Sequence, residues 1–168
     1  MAPIVVGSLC YQYQASDVIA PFDMIAGGSK QLLEAIRTYS PDVTDLGIKN
    51  APEFVFHHID LSRDLVDLTA GTIIKPTCTV DDCPELDILL FGGPNPVSFD
   101  LNPRYAEIIR RHVAAGPGPV AGMDMMIHWL REKYGEESFR WAALNLDFEP
   151  RDNDGVNMVL FRYGADGK

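Results

Sequence analysis

The order of apolar runs and helical repeats in this chain predicts an α/β fold, with a mainly parallel sheet covered on both faces. Two observations carry the prediction. Pro3 to Cys10 is β-branched and apolar with almost no polar relief, the pattern of a strand buried on both sides. Stretches repeating at helical spacing then alternate with further apolar runs: strand, helices, strand, small strands, strand, helix.

The elements follow in order. After a loop over residues 11–15, Ser16 is the expected N-cap, and Asp17 falls in the first turn, where a negative charge suits the helix dipole. Val18, Phe22, Ile25 and Ala26 repeat at helical spacing, Pro21 sits early enough to be tolerated, and Gly27-Gly28 ends the segment. Lys30 to Tyr39 reads as a second short helix with Leu32, Leu33 and Ile36 on one face. Phe54 to Leu61 is the next strand, and Leu65–Leu68 with Thr72–Ile74 suits a hairpin or small side strands. The apolar run Leu86 to Phe91 stops at Gly92-Gly93-Pro94-Asn95-Pro96, a strong turn signal. Asn102-Pro103 is an N-cap with proline at the first helical position, and Tyr105, Ile108, Ile109, His112 and Val113 form one face. Gly116-Pro117-Gly118-Pro119 breaks this helix. A further helix carries Met123, Met126, Ile127, Leu130 and Tyr134 on one face and stops at Gly135. A last helix covers about Glu136 to Leu146, with Phe139, Ala143 and Leu146 inward. Residues 1–150 form the expected single domain, and 151–168 read as a loose tail.

Composition bounds the function. The 168 residues suit one domain, and 46% hydrophobic with 23% charged residues is ordinary globular usage. Fourteen Lys and Arg against 24 Asp and Glu leave a net charge of −10, which repels phosphate backbones and argues against a nucleic-acid partner. The apolar runs are too short to span a bilayer, and the first residues read as a strand rather than a signal peptide. Three cysteines without framework spacing point to a reducing cytoplasm.

Three stretches carry a resemblance, in register. They are Asp17-Val-Ile-Ala-Pro21-Phe-Asp23 after the first strand, Leu86-Asp-Ile-Leu-Leu-Phe-Gly92-Gly93-Pro94, and Ala121-Gly122-Met-Asp124-Met-Met-Ile-His-Trp129, running on to Tyr134-Gly135 and Leu146-Asp147-Phe148-Glu149-Pro150. Together they resemble the DJ-1/PfpI (ThiJ/PfpI) family of the class I glutamine amidotransferase-like superfamily, nearest its isonitrile-hydratase-like fungal branch. The resemblance implies a flavodoxin-like three-layer sandwich and a small pocket at the carboxyl ends of the strands. It also implies that Asp17 is the carboxylate facing a nucleophilic cysteine, as a catalytic acid or base. Gly92, Gly93 and Pro94 would line the pocket and offer backbone N–H groups to an oxyanion.

The chain departs from that pattern at one place. The elbow bearing the family's cysteine should follow the helix that starts at Pro103. Instead, residues 116–120 are Gly-Pro-Gly-Pro-Val, the late helix begins at once, and no cysteine follows Cys83. The fold is therefore expected to be truncated. A skipped exon, a faulty gene model and a genuinely shortened paralogue all produce such a junction. The leading reading is a degenerate family member without cysteine-dependent catalysis, retaining a small-molecule pocket or a dimer surface. The alternatives are an active isonitrile hydratase-like or glyoxalase-like enzyme in a full-length form, and a non-catalytic interaction protein. In the family, the strand matching Leu86–Phe91 is interior. Losing the elbow strand leaves one side unpaired, so homodimerisation or other self-association is expected.

The remaining candidates have blander readings. Cys10 ends the first strand as a small buried hydrophobe, although it is placed to substitute as a thiol. Cys78 and Cys83 lack a histidine to complete a zinc site, and no phosphate-cradling loop appears, so neither metal nor cofactor is implied. His57 and His58 adjoin on a strand and point to opposite faces, which argues against joint chelation. His112 and His128 read as structural. Met123, Met125 and Met126 read as core, and Glu132, Glu136 and Glu137 beside Lys133 as a solvated face.

Overall fold

The computed structural model describes residues 2–94, 100–111 and 119–146. Its organising strand is β1 (Ile4–Leu9). β2 (Phe54–Asp60) pairs along one side of it and β6 (Ile88–Leu90) along the other, both parallel. The short β5 (Cys78–Thr79) extends the sheet beyond β2, giving the order β5-β2-β1-β6. The register sets Ile4 opposite Phe54, Leu9 opposite Ile59, and Val6 opposite Ile88. Between β2 and β5, the predicted hairpin forms as β3 (Val66–Asp67) against β4 (Ile73–Ile74), antiparallel.

Strand alternation sorts the side chains into two cores. Val6, Leu90 and the half-buried Phe56 join Val18, Phe22 and Ile25 of α1 (Ser16–Gly27), together with Met126, Ile127 and Leu130 of α5 (Pro119–Tyr134) and Ala142 of α6 (Glu136–Asn145). On the opposite face, Leu9, Ile59 and Leu89 meet Tyr105 and Ile108 of α4 (Pro103–Arg111). The sheet is thus covered on both faces, as a doubly wound α/β architecture requires. Each fully buried leucine or isoleucine contributes roughly 1.5–3 kcal/mol to this burial. The helices α2 (Lys30–Arg37) and α3 (Asp45–Asn50) close a third, smaller cluster of Leu33, Ile36, Val43 and Ala51.

Several local expectations need correction. Ser16 is not the N-cap of α1. Ala15 already has helical backbone angles, the Asp17 N–H donates to the Gln14 carbonyl at 2.9 Å, and the Ser16 hydroxyl accepts from Gln14 Nε2 at 3.1 Å. The inward face of α6 is centred on Ser138 and Ala142, with Phe139, Ala143 and Leu146 half-buried at its margin. The reason is a close helix crossing. A Cβ on Gly27 would stand 3.0 Å from the Ala142 Cα, and one on Gly28 would stand 2.9 Å from the Ser138 carbonyl oxygen, so only small residues of α6 fit there. Glu137 leaves the solvated face, because its carboxylate accepts from the Thr44 N–H at 2.7 Å and the Thr44 hydroxyl at 2.6 Å. Thr44 in turn caps α3, accepting from the Gly47 N–H at 2.9 Å. Neither α3 nor β5 stood out in the sequence, since each is short and mixes polar with apolar residues.

The Asn102 cap is as expected, its Oδ1 accepting from the Arg104 N–H at 3.0 Å. The Gly-Pro break at residues 116–118, His112 and the tail at 151–168 lie outside the described residues. No helix among the described residues is long and apolar enough to cross a membrane.

Candidate functional site

The parallel strands all deliver their carboxyl ends to one edge, where the chain leaves the sheet without lateral hydrogen bonds to make. β1 runs out through Cys10 and Tyr11 into α1, and β6 runs out through Phe91 into the Gly92-Gly93 turn. Asp17, in the first turn of α1, meets that turn directly. Its Oδ2 accepts from the Gly93 N–H at 2.7 Å. This bond joins residues brought together by the β1–β6 pairing rather than by sequence proximity.

The bond also changes what the turn can offer. A Gly93 N–H already donated to a carboxylate is not free for an oxyanion while Asp17 holds it. The other carboxylate oxygen, Oδ1, is buried and has no hydrogen-bond partner within the described residues. A buried carboxylate oxygen without a donor is costly, so this atom is where a ligand N–H or O–H, or a water, would be received. Asp17 therefore presents one committed and one open acceptor.

Two tyrosines that the sequence reading passed over complete the surroundings. The Tyr11 hydroxyl donates to the Gly92 carbonyl at 2.5 Å, and Tyr13 forms an isolated bridge with Pro94. The Tyr13 ring lies flush against Gly92, where a Cβ would come within 2.7 Å of it, so the glycine is required for close approach. The two rings meet edge to face with centroids 5.4 Å apart. Burial, and secondarily the Asp17 charge, pushes the Tyr11 hydroxyl up to about 12, which keeps it a neutral donor at physiological pH. The signal that could have found this pair is the Tyr-Gln-Tyr alternation immediately after β1.

Cys10 shares a buried cluster with Tyr13, but it is closed off from solvent. Cys10 is 1% exposed. Burial above all, then the charges of Asp60 and Cys78, pushes its thiol up to about 12, opposite to what a nucleophilic cysteine needs. Its carbonyl accepts from the Tyr105 hydroxyl at 2.7 Å, and Tyr105 also donates to the Asp60 carboxylate. Cys78 and Cys83 belong to the core on the α4 side. His57 and His58 are parted by the sheet. His58 Nδ1 lies 2.8 Å from the Ser8 hydroxyl and its ring stacks on Phe22, whereas His57 faces the other side with Nδ1 buried and unpartnered among the described residues. No group of three or more His, Cys, Asp or Glu among the described residues is placed to hold a metal ion. A cavity of about 380 Å³ lies at the opposite, amino-terminal edge of β1 and β2. Its lining carries Lys30, which pairs with Glu53 at 3.2 Å, and Glu34.

No protein-family model matches the sequence, and no curated protein matches it. Solved structures do. A ThiJ/PfpI family protein from Pseudomonas syringae superposes with a TM-score of 0.62 at 15% identity, over 91% of this chain and 78% of that one. The chain has the DJ-1/PfpI fold. Oxidized DJ-1 from Toxoplasma gondii shares it with a TM-score of 0.52 at 8% identity, over 86% of this chain and 98% of that one. An AraC family transcriptional regulator from Pseudomonas putida does so with a TM-score of 0.56 at 15% identity, over 86% and 99%. In this fold, Asp17 and the Gly92–Pro94 turn meet at the carboxyl edge of the sheet.

Proposed function

We propose that this chain is a DJ-1/PfpI-family protein without cysteine-dependent catalysis, retaining a small polar recess around Asp17, Gly92, Gly93 and Pro94. The observation that supports this is the partner of Asp17. Where the family pattern sets a thiol, the Asp17 carboxylate holds the Gly93 N–H. The thiol nearest in sequence, Cys10, is buried and held protonated. Attack on an electrophilic carbon needs a thiolate, and burial works against one at Cys10. The recess suits a small ligand that donates a hydrogen bond to the open Asp17 oxygen. We place the protein in the cytoplasm on its three free cysteines, with neither nucleic acid nor membrane as partner on its acidic charge and short apolar runs.

The test is turnover by freshly reduced protein of an isonitrile and of methylglyoxal, the two substrate chemistries suggested by the family resemblance. The expected rate equals the protein-free background. Turnover that disappears in Cys10→Ala would overturn the proposal and make Cys10 a replacement nucleophile.

A further inference from the structure

Two cysteines on the α4 side of the sheet stand in a relation that the Asp17 recess does not use. Cys78 opens β5 and is buried, while Cys83, beyond the following turn, is half-buried and packs into the same core. The two side chains share one core cluster, five residues apart across a single turn, and Cys83 Sγ lies 3.3 Å from the Pro84 carbonyl. The backbone between them is clamped. Asp82 Oδ1 accepts from the Thr79 N–H at 2.5 Å and from the Thr79 hydroxyl at 2.7 Å. Arg63 pairs with Asp82 while donating to the Thr77 carbonyl at 3.0 Å, and Arg104 of α4 pairs with Asp81. Little conformational entropy is left to lose when the sulfurs are joined. Cys83 also lines a cavity of about 240 Å³ with Val80, Asp81, Arg104 and Glu107, so it is reachable from solvent.

We propose that Cys78 and Cys83 form a reversible redox pair, oxidised to a disulfide by exchange with a small-molecule disulfide. Cys83 is the attacking thiol, because it alone opens onto the cavity. Its thiolate attacks one sulfur of the small disulfide, whose S–S bond breaks and releases one half as a thiolate. Cys78, losing its proton, then attacks the Cys83 sulfur, forms the internal S–S bond and expels the second half. The two protein thiols lose two electrons in all, and the small disulfide becomes two thiols that take up the two protons. Burial raises the Cys78 thiol above its ordinary range, which suits the second, intramolecular role rather than the first.

The experiment incubates the intact protein with glutathione disulfide and maps its cysteine peptides. The thiol titre should fall from three to one, with a bond between Cys78 and Cys83 that dithiothreitol reverses. Cys78→Ser should accumulate a glutathione adduct on Cys83, and Cys83→Ser should keep both remaining thiols free. A bond between Cys10 and Cys78, glutathione held on both residues without an internal bond, or unreacted wild-type protein would each overturn the proposal. The wild-type map decides the matter even if a variant folds poorly.

Discussion

His58 is half-buried against Phe22 and bonded to the fully buried Ser8 hydroxyl. Burial first, and then the neighbouring His57, holds its pKa below the ordinary value of 6.5. The folded state therefore binds fewer protons than the unfolded chain over the interval between the two values. Above the ordinary value both states are neutral and the contribution is complete. As pH falls through it, the unfolded chain protonates first and stability declines, until the folded ring also titrates. The melting temperature should fall between about pH 7.5 and 5.5, above the range in which carboxylates titrate. His58→Asn should be less stable throughout but show a flatter pH profile over that interval. An unchanged slope would mean that the titration belongs to other groups. Individual glycines matter at the same scale. Gly92 is needed because the Tyr13 ring leaves no room for a side chain, a reason invisible in the dipeptide Gly92-Gly93, which reads simply as a turn.

The element with most at stake is β6. Within the described sheet it pairs with β1 alone, so its other side is an open edge. The Asp87 N–H donates to the Val5 carbonyl at 2.8 Å, so by strand alternation the N–H groups of Ile88 and Leu90 point away from β1 toward that edge. Leu89 and Leu90 are buried and Ile88 is half-buried, so what stays unpaired within the described sheet is the backbone ladder rather than an apolar face. Such a ladder is a template for a second copy. Sedimentation across a concentration series should show self-association, and Ile88→Pro should weaken it at least several-fold, because proline removes an outward donor without touching the β1 ladder. A monomer at every concentration would show that the edge is covered in solution. Helix α1 was readable in outline from its spacing. Its entry was not, because Thr69, more than fifty residues away, accepts from the Ala15 N–H at 3.0 Å and helps set the first turn.

Across the whole molecule, the net charge of −10 opposes any association of copies. The repulsion acts over a screening length of ~10 Å at 0.1 M salt, while edge pairing is short-ranged and unscreened. Raising NaCl from about 20 mM to 0.3 M should therefore strengthen self-association several-fold, and association that weakens with salt would point to an ion-paired interface instead.

The α/β class, the parallel strands, the α1 and α4 helices and the hairpin were legible in the sequence, because each rests on local periodicity: β-branched runs, apolar residues at helical spacing, and Gly or Pro at the breaks. Asp17 and Gly92–Pro94 were singled out through a family resemblance, and the fold joins them by the Asp17–Gly93 bond. What local pattern cannot carry is contact between distant segments. The commitment of the Gly93 N–H to Asp17, the Tyr11 and Tyr13 walls, the buried and protonated state of Cys10, the docking of Glu137 on Thr44 and the meeting of Cys78 with Cys83 were decided by tertiary structure. Hydrogen bonds and desolvation act over a few ångströms in space, and the folded sheet determines which residues share that space.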